Sequence, residues 1–336
     1  MQQFYKLTPE NKTKIFEQIS ARTPLPVYAI EKDWWVVQTL RLIFEMDVAK
    51  YLLFKGGTSL SKAWKLIDRF SEDVDLALDK SVLGIEQVNT KKQVKKLRSL
   101  SNKYLSGTFY PALKNTFKEA GFNDTEIKIV EQSENDPLSI EVFYPNISKY
   151  PGYIKPRVLI EIGSRSLREP FSNKTIKSFV TEQFPDQEFS DSPVIIPTVS
   201  PERTFLEKVF LLHEEFQKTD GKTRVNRLSR HLYDLERLMD TPHAKLALKN
   251  EDLYKSIVHH RKLFFSLRDV DYNLHQPSTL NLIPSNHHMK AWEKDYSELC
   301  ENMVYGDQLN WESLLDRILD LQKSINKLKY IIEFNK

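Results

Sequence analysis

The sequence predicts an α+β protein in two parts, with strands gathered in residues 1–200 and an almost wholly helical remainder, 201–336. Three observations predict this. Short apolar runs with period-two alternation recur between residues 51 and 199, which is strand patterning. From Pro201 onward apolar residues recur instead at three- and four-residue steps. Pro193, Pro197 and Pro201 punctuate the chain where one pattern replaces the other. The length, 336 residues, suits two domains of roughly 150 residues each.

The elements follow in order. Residues 28–46 read as an amphipathic helix, with Ile30, Trp34, Val37, Leu40 and Phe44 on one stripe. Residues 51–54, YLLF, form a short strand that stops at Lys55-Gly56-Gly57. A helix is expected over 59–67, SLSKAWKLI, and then a second strand over 73–78, DVDLAL. Residues 91–120 read as helical. Strands are expected at 126–131, 139–144 and 157–163, with a further pair at 176–180 (IKSFV) and 194–199 (VIIPTV). The chain ends in an amphipathic stretch marked by Leu314, Leu315, Ile318, Leu321, Ile325, Leu328 and Ile332.

Composition closes several routes. Hydrophobic residues at 40% and aromatics at 11% exclude global disorder. Only 9 glycines are present, and none is spaced as GxGxxG or GxxxxGK, so the Rossmann and P-loop modes of phosphate binding are excluded. The single cysteine, Cys300, rules out an intramolecular disulfide and a Cys-rich zinc module, and it fits a reducing compartment. The N-terminus, MQQFYKLTPENKTK, has no apolar segment of signal-peptide type. No apolar run approaches ~18 residues. A soluble, cytoplasmic protein without a membrane segment is expected.

Charge is unevenly placed. The 49 basic and 46 acidic residues give +3 overall. Residues 87–118 nevertheless hold Lys91, Lys92, Lys95, Lys96, Arg98, Lys103, Lys114 and Lys118 and no acid, a window of +8, so the remainder is 3 − 8 = −5. Such a window suits an acidic acceptor such as RNA, through phosphate contacts. It equally suits a helix that is basic for solubility.

Chemistry is concentrated around the glycine pair. Asp73 and Asp75 lie at i and i+2 of a strand and so share a face. Two carboxylates ~4 Å apart repel by roughly 4 kcal/mol at an effective dielectric near 20. A hard cation such as Mg²⁺ or Mn²⁺ relieves that repulsion; a solvated strand edge is the plain alternative. Gly56-Gly57-Thr58-Ser59, with Lys55 before it, suits a phosphate cradle at a helix start, or a tight turn with a hydroxyl cap. Glu161 sits in the apolar strand 157–163, where it is a third metal ligand, a base, or the partner of Arg157 or Arg165.

In the helical part, Lys208 borders the apolar stripe of Phe205, Val209 and Leu212, as a snorkelling surface lysine would. Arg203 with Glu207, and Arg230 with Asp234, have the spacing of intrahelical pairs. Residues 218–230 carry five basic side chains and one acid, which suits a triphosphate, an RNA backbone or plain solvation. The pairs His259-His260 and His287-His288 lack the i, i+4 spacing of helical zinc ligands. Cys300 reads as a small buried hydrophobe.

Taken together, FKGGTSLSKAWKLIDRFSEDVDLAL resembles the first motif of the AbiEii/AbiGii toxin family, a branch of the DNA polymerase β-like nucleotidyltransferases that includes the mycobacterial MenT toxins. IEKDWWVVQTL resembles the helix before that motif. RVLIEIGSRS, PERTFLEKVFLLHEE and RLSRHLYDLERL resemble the later motifs in the expected order, so the likeness covers about residues 28–240. The resemblance implies a nucleotidyltransferase-type mixed β-sheet flanked by helices, with a helical C-terminal domain completing the active site. It implies transfer of a nucleoside monophosphate from an NTP, with pyrophosphate leaving. Relatives modify the 3′ end of tRNA, and an antitoxin encoded nearby is the usual partner in such toxin–antitoxin and abortive-infection (phage-defence) systems.

By the same resemblance, Gly57 and Ser59 hold the triphosphate, Asp73 and Asp75 bind Mg²⁺, and Glu161 takes the third carboxylate position. Lys208 contacts the phosphates and Asp234 completes the site. Many relatives have Arg-Asp in the last motif, whereas this chain has Arg230-His231 with Asp234 following. Arg230 and Asp234 are taken as the carriers of that motif. Two other functions fit the residues: phosphotransfer to a protein or small molecule, and non-catalytic binding of nucleotide or RNA. A metal-loaded dyad would be superfluous in the second.

Overall fold

The computed structural model describes residues 3–130, 138–150, 152–219 and 221–334. The chain divides into two compact units, Met1–Lys65 with Phe70–Val199, and Leu66–Arg69 with Ser200–Lys336.

The first unit is built on one seven-stranded sheet: β1 (Leu52–Lys55), β2 (Asp73–Leu78), β3 (Glu126–Ile129), β4 (Leu138–Phe143), β5 (Arg157–Gly163), β6 (Phe171–Ile176) and β7 (Val194–Val199). The spatial order is β3-β4-β5-β2-β1-β7-β6. β2 runs parallel to β5 and β1 parallel to β7, while the other neighbours are antiparallel, so the sheet is mixed. Alternation works as expected on the central strands. Val74 and Leu76 are buried, and Asp73 and Asp75 occupy the half-buried face of the same strand.

The helices that accompany the sheet are α1 (Gln3–Lys6), α2 (Pro9–Arg22), α3 (Val27–Glu45), α4 (Gly56–Thr58), α5 (Lys91–Tyr104), α6 (Tyr110–Glu119) and α7 (Phe179–Gln183). α3 is buried almost all round and packs beside β2 and β5. Its apolar stripe is accompanied by buried Glu31, Lys32, Asp33, Gln38 and Thr39, each of which needs a polar partner. α5 opens with a capping box, in which the Thr90 hydroxyl accepts from the Gln93 N–H at 3.3 Å and the Gln93 side chain accepts from the Thr90 N–H at 3.0 Å.

Three expectations are corrected here. The helix expected over 59–67 is a single π-helical turn, Ser59–Ala63, following α4, and Lys65 at φ 54° breaks it. The strand expected at 176–180 lies earlier, as β6. Ser178 instead caps α7, its hydroxyl accepting from the Thr181 N–H at 3.2 Å. β6 is an edge strand whose residues are mostly exposed or half-buried, so no apolar alternation marks it. The strand expected over 126–131 stops at Ile129, and residue 131 lies outside the described residues.

The second unit contains α8 (Pro201–Phe216), α9 (Ser229–Met239), α10 (Pro242–Lys249), α11 (Glu251–Phe264), α12 (Met289–Met303) and α13 (Trp311–Asn326). The short segment Leu66–Arg69 is held within it. The Asp68 carbonyl accepts from the Tyr305 and Gly306 N–H groups at 2.9 and 3.1 Å, and the Asp68 carboxylate accepts from Arg237 at 2.7 Å. A Cβ on Gly306 would lie 2.3 Å from the Asp68 Cβ, so this approach needs glycine. The last helix ends at Asn326, short of the expected Ile332. The amide of Asn326 turns to the Pro277 and Leu280 carbonyls, and the Ile332 backbone pairs with the Gln276 side chain.

Candidate active site

The first unit brings Asp73, Asp75 and Glu161 together. β2 and β5 are in parallel register, with Asp73 opposite Leu159 and Asp75 opposite Glu161. All three carboxyl groups therefore project from one face of adjacent strands. The Glu161 side chain hydrogen-bonds Asp75, and Asp73 and Asp75 add negative potential. Burial first, and these neighbours second, push the Glu161 carboxyl up to about 7, against an opposing pull from Lys55. Arg157, one of its expected salt-bridge partners, is paired with Glu141 at 2.7 Å instead.

The glycine turn abuts this cluster. Gly56 has φ 81°, a left-handed conformation, and a Cβ there would stand 1.9 Å from Asp75 Oδ2. Both facts require glycine. Lys55 is in register with Asp75 on the neighbouring strand β1. The hydroxyls of Thr58 and Ser59, expected as phosphate donors, have internal partners. Thr58 Oγ1 bonds the Asp73 carbonyl and Ser71, and Ser59 Oγ donates to the Gly56 carbonyl at 2.8 Å. Both side chains are buried. Their place is to knit the turn to the start of β2.

The three carboxylates do not form a finished metal cage. Among the described residues, no group of three or more His, Cys, Asp or Glu side chains is arranged to hold a metal ion. The oxygen donors still fit a hard divalent cation, which takes one or two protein carboxylates and completes its shell with water and substrate phosphates. Glu161, raised first by burial and then by Asp75 and Asp73, is a carboxyl whose charged form a cation beside it would favour.

The second unit brings Lys208, His231 and Asp234 together, with Arg69 as a fourth member. Asp234 is fully buried and accepts from Arg69 Nε and Nη2 at 2.6 and 2.8 Å and from Lys208 Nζ at 2.8 Å. These cations hold its carboxyl far below the usual range despite burial. Lys208 is buried rather than snorkelling, and its Nζ also donates to His231 Nδ1 at 3.3 Å. Burial, then the Lys208 and Arg230 charges, hold His231 well below the usual imidazole range, so the ring is neutral. Asp234 is thus paired over 165 residues with Arg69, which was not singled out from the sequence.

Other expectations also shift. Lys218 and Arg224 share Glu215, and Lys222 pairs with Asp269, so these three basic groups of 218–230 meet two carboxylates within the unit. Cys300 is half-buried rather than buried. Lys91, Lys92, Lys95 and Lys96 are all exposed on α5, and Arg98 is half-exposed. Residues missed in the sequence include Lys32, Glu72 and Asp33. Three consecutive charges, Glu31-Lys32-Asp33, inside an otherwise apolar helix were the available signal.

The first unit thus sets a carboxylate cluster on parallel strands beside a left-handed glycine turn. The model of the family described as nucleotidyl transferase AbiEii toxin, type IV toxin–antitoxin system, matches residues 41–317. The chain belongs to this AbiEii family and is a nucleotidyltransferase. The family implies an NTP substrate and an antitoxin partner. No curated protein matches the chain. Among solved structures it is similar to JHP933 from Helicobacter pylori, at 15% identity and TM-score 0.40 over 86% of this chain and 90% of that one. A second Helicobacter pylori protein, put forward as a nucleotidyltransferase, shows 16% identity and TM-score 0.43 over 90% and 96%. Among the described residues, no helix is long and apolar enough to cross a membrane.

Proposed function

We propose that this nucleotidyltransferase uses a divalent cation, Mg²⁺ or Mn²⁺, on Asp73, Asp75 and Glu161 to move a nucleoside monophosphate from an NTP to an RNA, such as the 3′ end of a tRNA. In this reading it acts as a toxin in phage defence, in the cytoplasm. The observation that carries the metal reading is the register of Asp75 with Glu161, which sets two carboxyl groups side by side on adjacent parallel strands.

When bound, the cation polarises the α-phosphate and stabilises the entering and leaving oxygens. The chain's own residues do the rest. Asp73 and Asp75 hold the charge that draws the triphosphate–cation complex in. Gly56 and Gly57 let the backbone come close to phosphate, and Lys55 adds a positive charge there. In the helical unit, Lys208 and Arg230 supply positive charge suited to phosphate. Asp234 keeps Lys208 charged and fixed rather than touching substrate, because both its oxygens are already occupied by cations. The exposed lysines of α5, Lys91, Lys92, Lys95 and Lys96, with Arg98, meet the acceptor's backbone.

The test is incubation with α-labelled and, separately, γ-labelled NTPs, Mg²⁺ and total RNA. Label from the α position should appear on RNA and label from the γ position should not. The reverse would indicate phosphoryl transfer and overturn the proposal.

A further inference from the structure

We propose that Lys32 is the positioning residue of the carboxylate site, tying together the entries of the two parallel strands that carry Asp73, Asp75 and Glu161. This rests on the reading of those carboxylates as the cation site. Lys32 lies on α3 and is 1% exposed. Its ammonium pairs with the carboxylate of Glu72 and donates to the Lys155 carbonyl at 2.8 Å. Glu72 immediately precedes β2, and Lys155 lies two residues before β5. One buried cation therefore grips both strands at the end where they enter the sheet. Glu72 is the residue next to Asp73, and only a short stretch of β5 separates the other grip from Glu161.

Stability is a poor explanation for this arrangement. A buried Lys–Glu pair pays desolvation for both charges, and apolar replacements of similar volume are commonly neutral or better. What an apolar pair cannot supply is a fixed bond to the Lys155 carbonyl, and with it the register of β5 against β2. A one-residue slip would turn Glu161 to the opposite face from Asp75. The helix that carries Lys32 is itself pinned on either side. Glu31 accepts from the Ile147 and Ser148 N–H groups at 2.8 and 3.0 Å. Asp33 accepts from Lys62 at 2.7 Å and from the Phe179 N–H at 2.7 Å. Lys62 belongs to the π-helical turn after Gly56-Gly57, so the same three-residue stretch holds the glycine turn as well. The charges that act on Lys32 are Glu72 and Asp73, which attract it, and Arg157, which repels it.

The test is a Mn²⁺ titration of the whole protein, followed by the loss of the free-ion EPR signal, alongside α-label transfer. Lys32→Met alone would take the opposite charge away from buried Glu72, so the informative variant is the double replacement K32M/E72M. It should melt near the wild type, yet bind Mn²⁺ and transfer label about 10- to 100-fold more weakly, as loss of a ligand-orienting partner does. Lys32→Arg, which keeps donors for both Glu72 and the carbonyl, should restore most of both. A folded double variant with wild-type Mn²⁺ affinity and transfer would overturn the proposal. If the double variant fails to fold, Lys32→Arg decides, since wild-type melting with binding abolished would contradict it. Failure of the underlying reading looks different: the wild type itself would bind no Mn²⁺, and Asp73→Ala would still transfer label.

Discussion

Glu161 and Asp234 are both buried carboxyls, and their surroundings give them opposite characters. Glu161 faces Asp75 and Asp73 and is pushed up to about 7, so the folded protein prefers it protonated. Its favourable contribution is present at low pH and is lost as pH rises through about 7. Glu161→Gln should therefore stabilise the metal-free protein at pH 8.5 by on the order of 1–3 kcal/mol, read as a higher melting temperature, and change little near pH 5. A divalent cation should narrow that gap by stabilising the wild type. Asp234, held far below its usual range by Arg69 and Lys208, contributes stability at neutral pH that fades as pH falls into the acid range. Asp234→Asn should cost on the order of 3–5 kcal/mol at pH 7, because it leaves two buried cations short of a partner. Thermal melts from pH 3 to 7 should show that deficit shrinking toward acid. Asp73 and Asp75 were legible in the sequence because i, i+2 spacing on a strand is a local rule. The partner of Asp234 was not, because Arg69 is 165 residues away and spacing arguments stop at a helical turn.

Among the elements, strands with buried alternation could be read closely from sequence, and β5 and β7 have the expected bounds. β6 escaped because an exposed edge strand carries no apolar period. The helix after the glycine pair was overextended because WKLI continues an apolar pattern, whereas the chain at Lys65 turns into a left-handed conformation. α3 shows a subtler limit. Its stripe marked a helix, but the burial of Glu31, Lys32 and Asp33 depends on partners distant in sequence. α5 is the element whose function can be tested alone. It buries Val94 and Leu97 and exposes a lysine-rich face. Charge reversal, Lys95→Glu with Lys96→Glu, should weaken RNA binding. It should also lower the slope of affinity against salt by about 0.7 for each single-strand phosphate no longer neutralised. Melting temperature should be nearly unchanged, since both side chains are exposed. Unaltered RNA affinity would assign the face to solubility alone.

At the scale of the whole molecule, a net charge of +3 conceals a basic window of +8 in an otherwise acidic chain. The helical unit likewise claims Leu66–Arg69 from the middle of the other unit's sequence. That crossover puts Arg69 in the helical unit only four residues before Asp73 in sequence. Sequence periodicity marks where elements change type, but it has no means of showing that four residues fold with a distant partner. The central claim is that carboxylates on β2 and β5 support nucleotidyl transfer. It is tested most directly by measuring α-label incorporation into RNA, at varied Mg²⁺, with the wild type and with Asp73→Ala. The account predicts Mg²⁺-dependent labelling by the wild type and none by the variant, with circular dichroism showing both folded. Equal labelling by the two proteins, or labelling that persists in excess chelator, would contradict it.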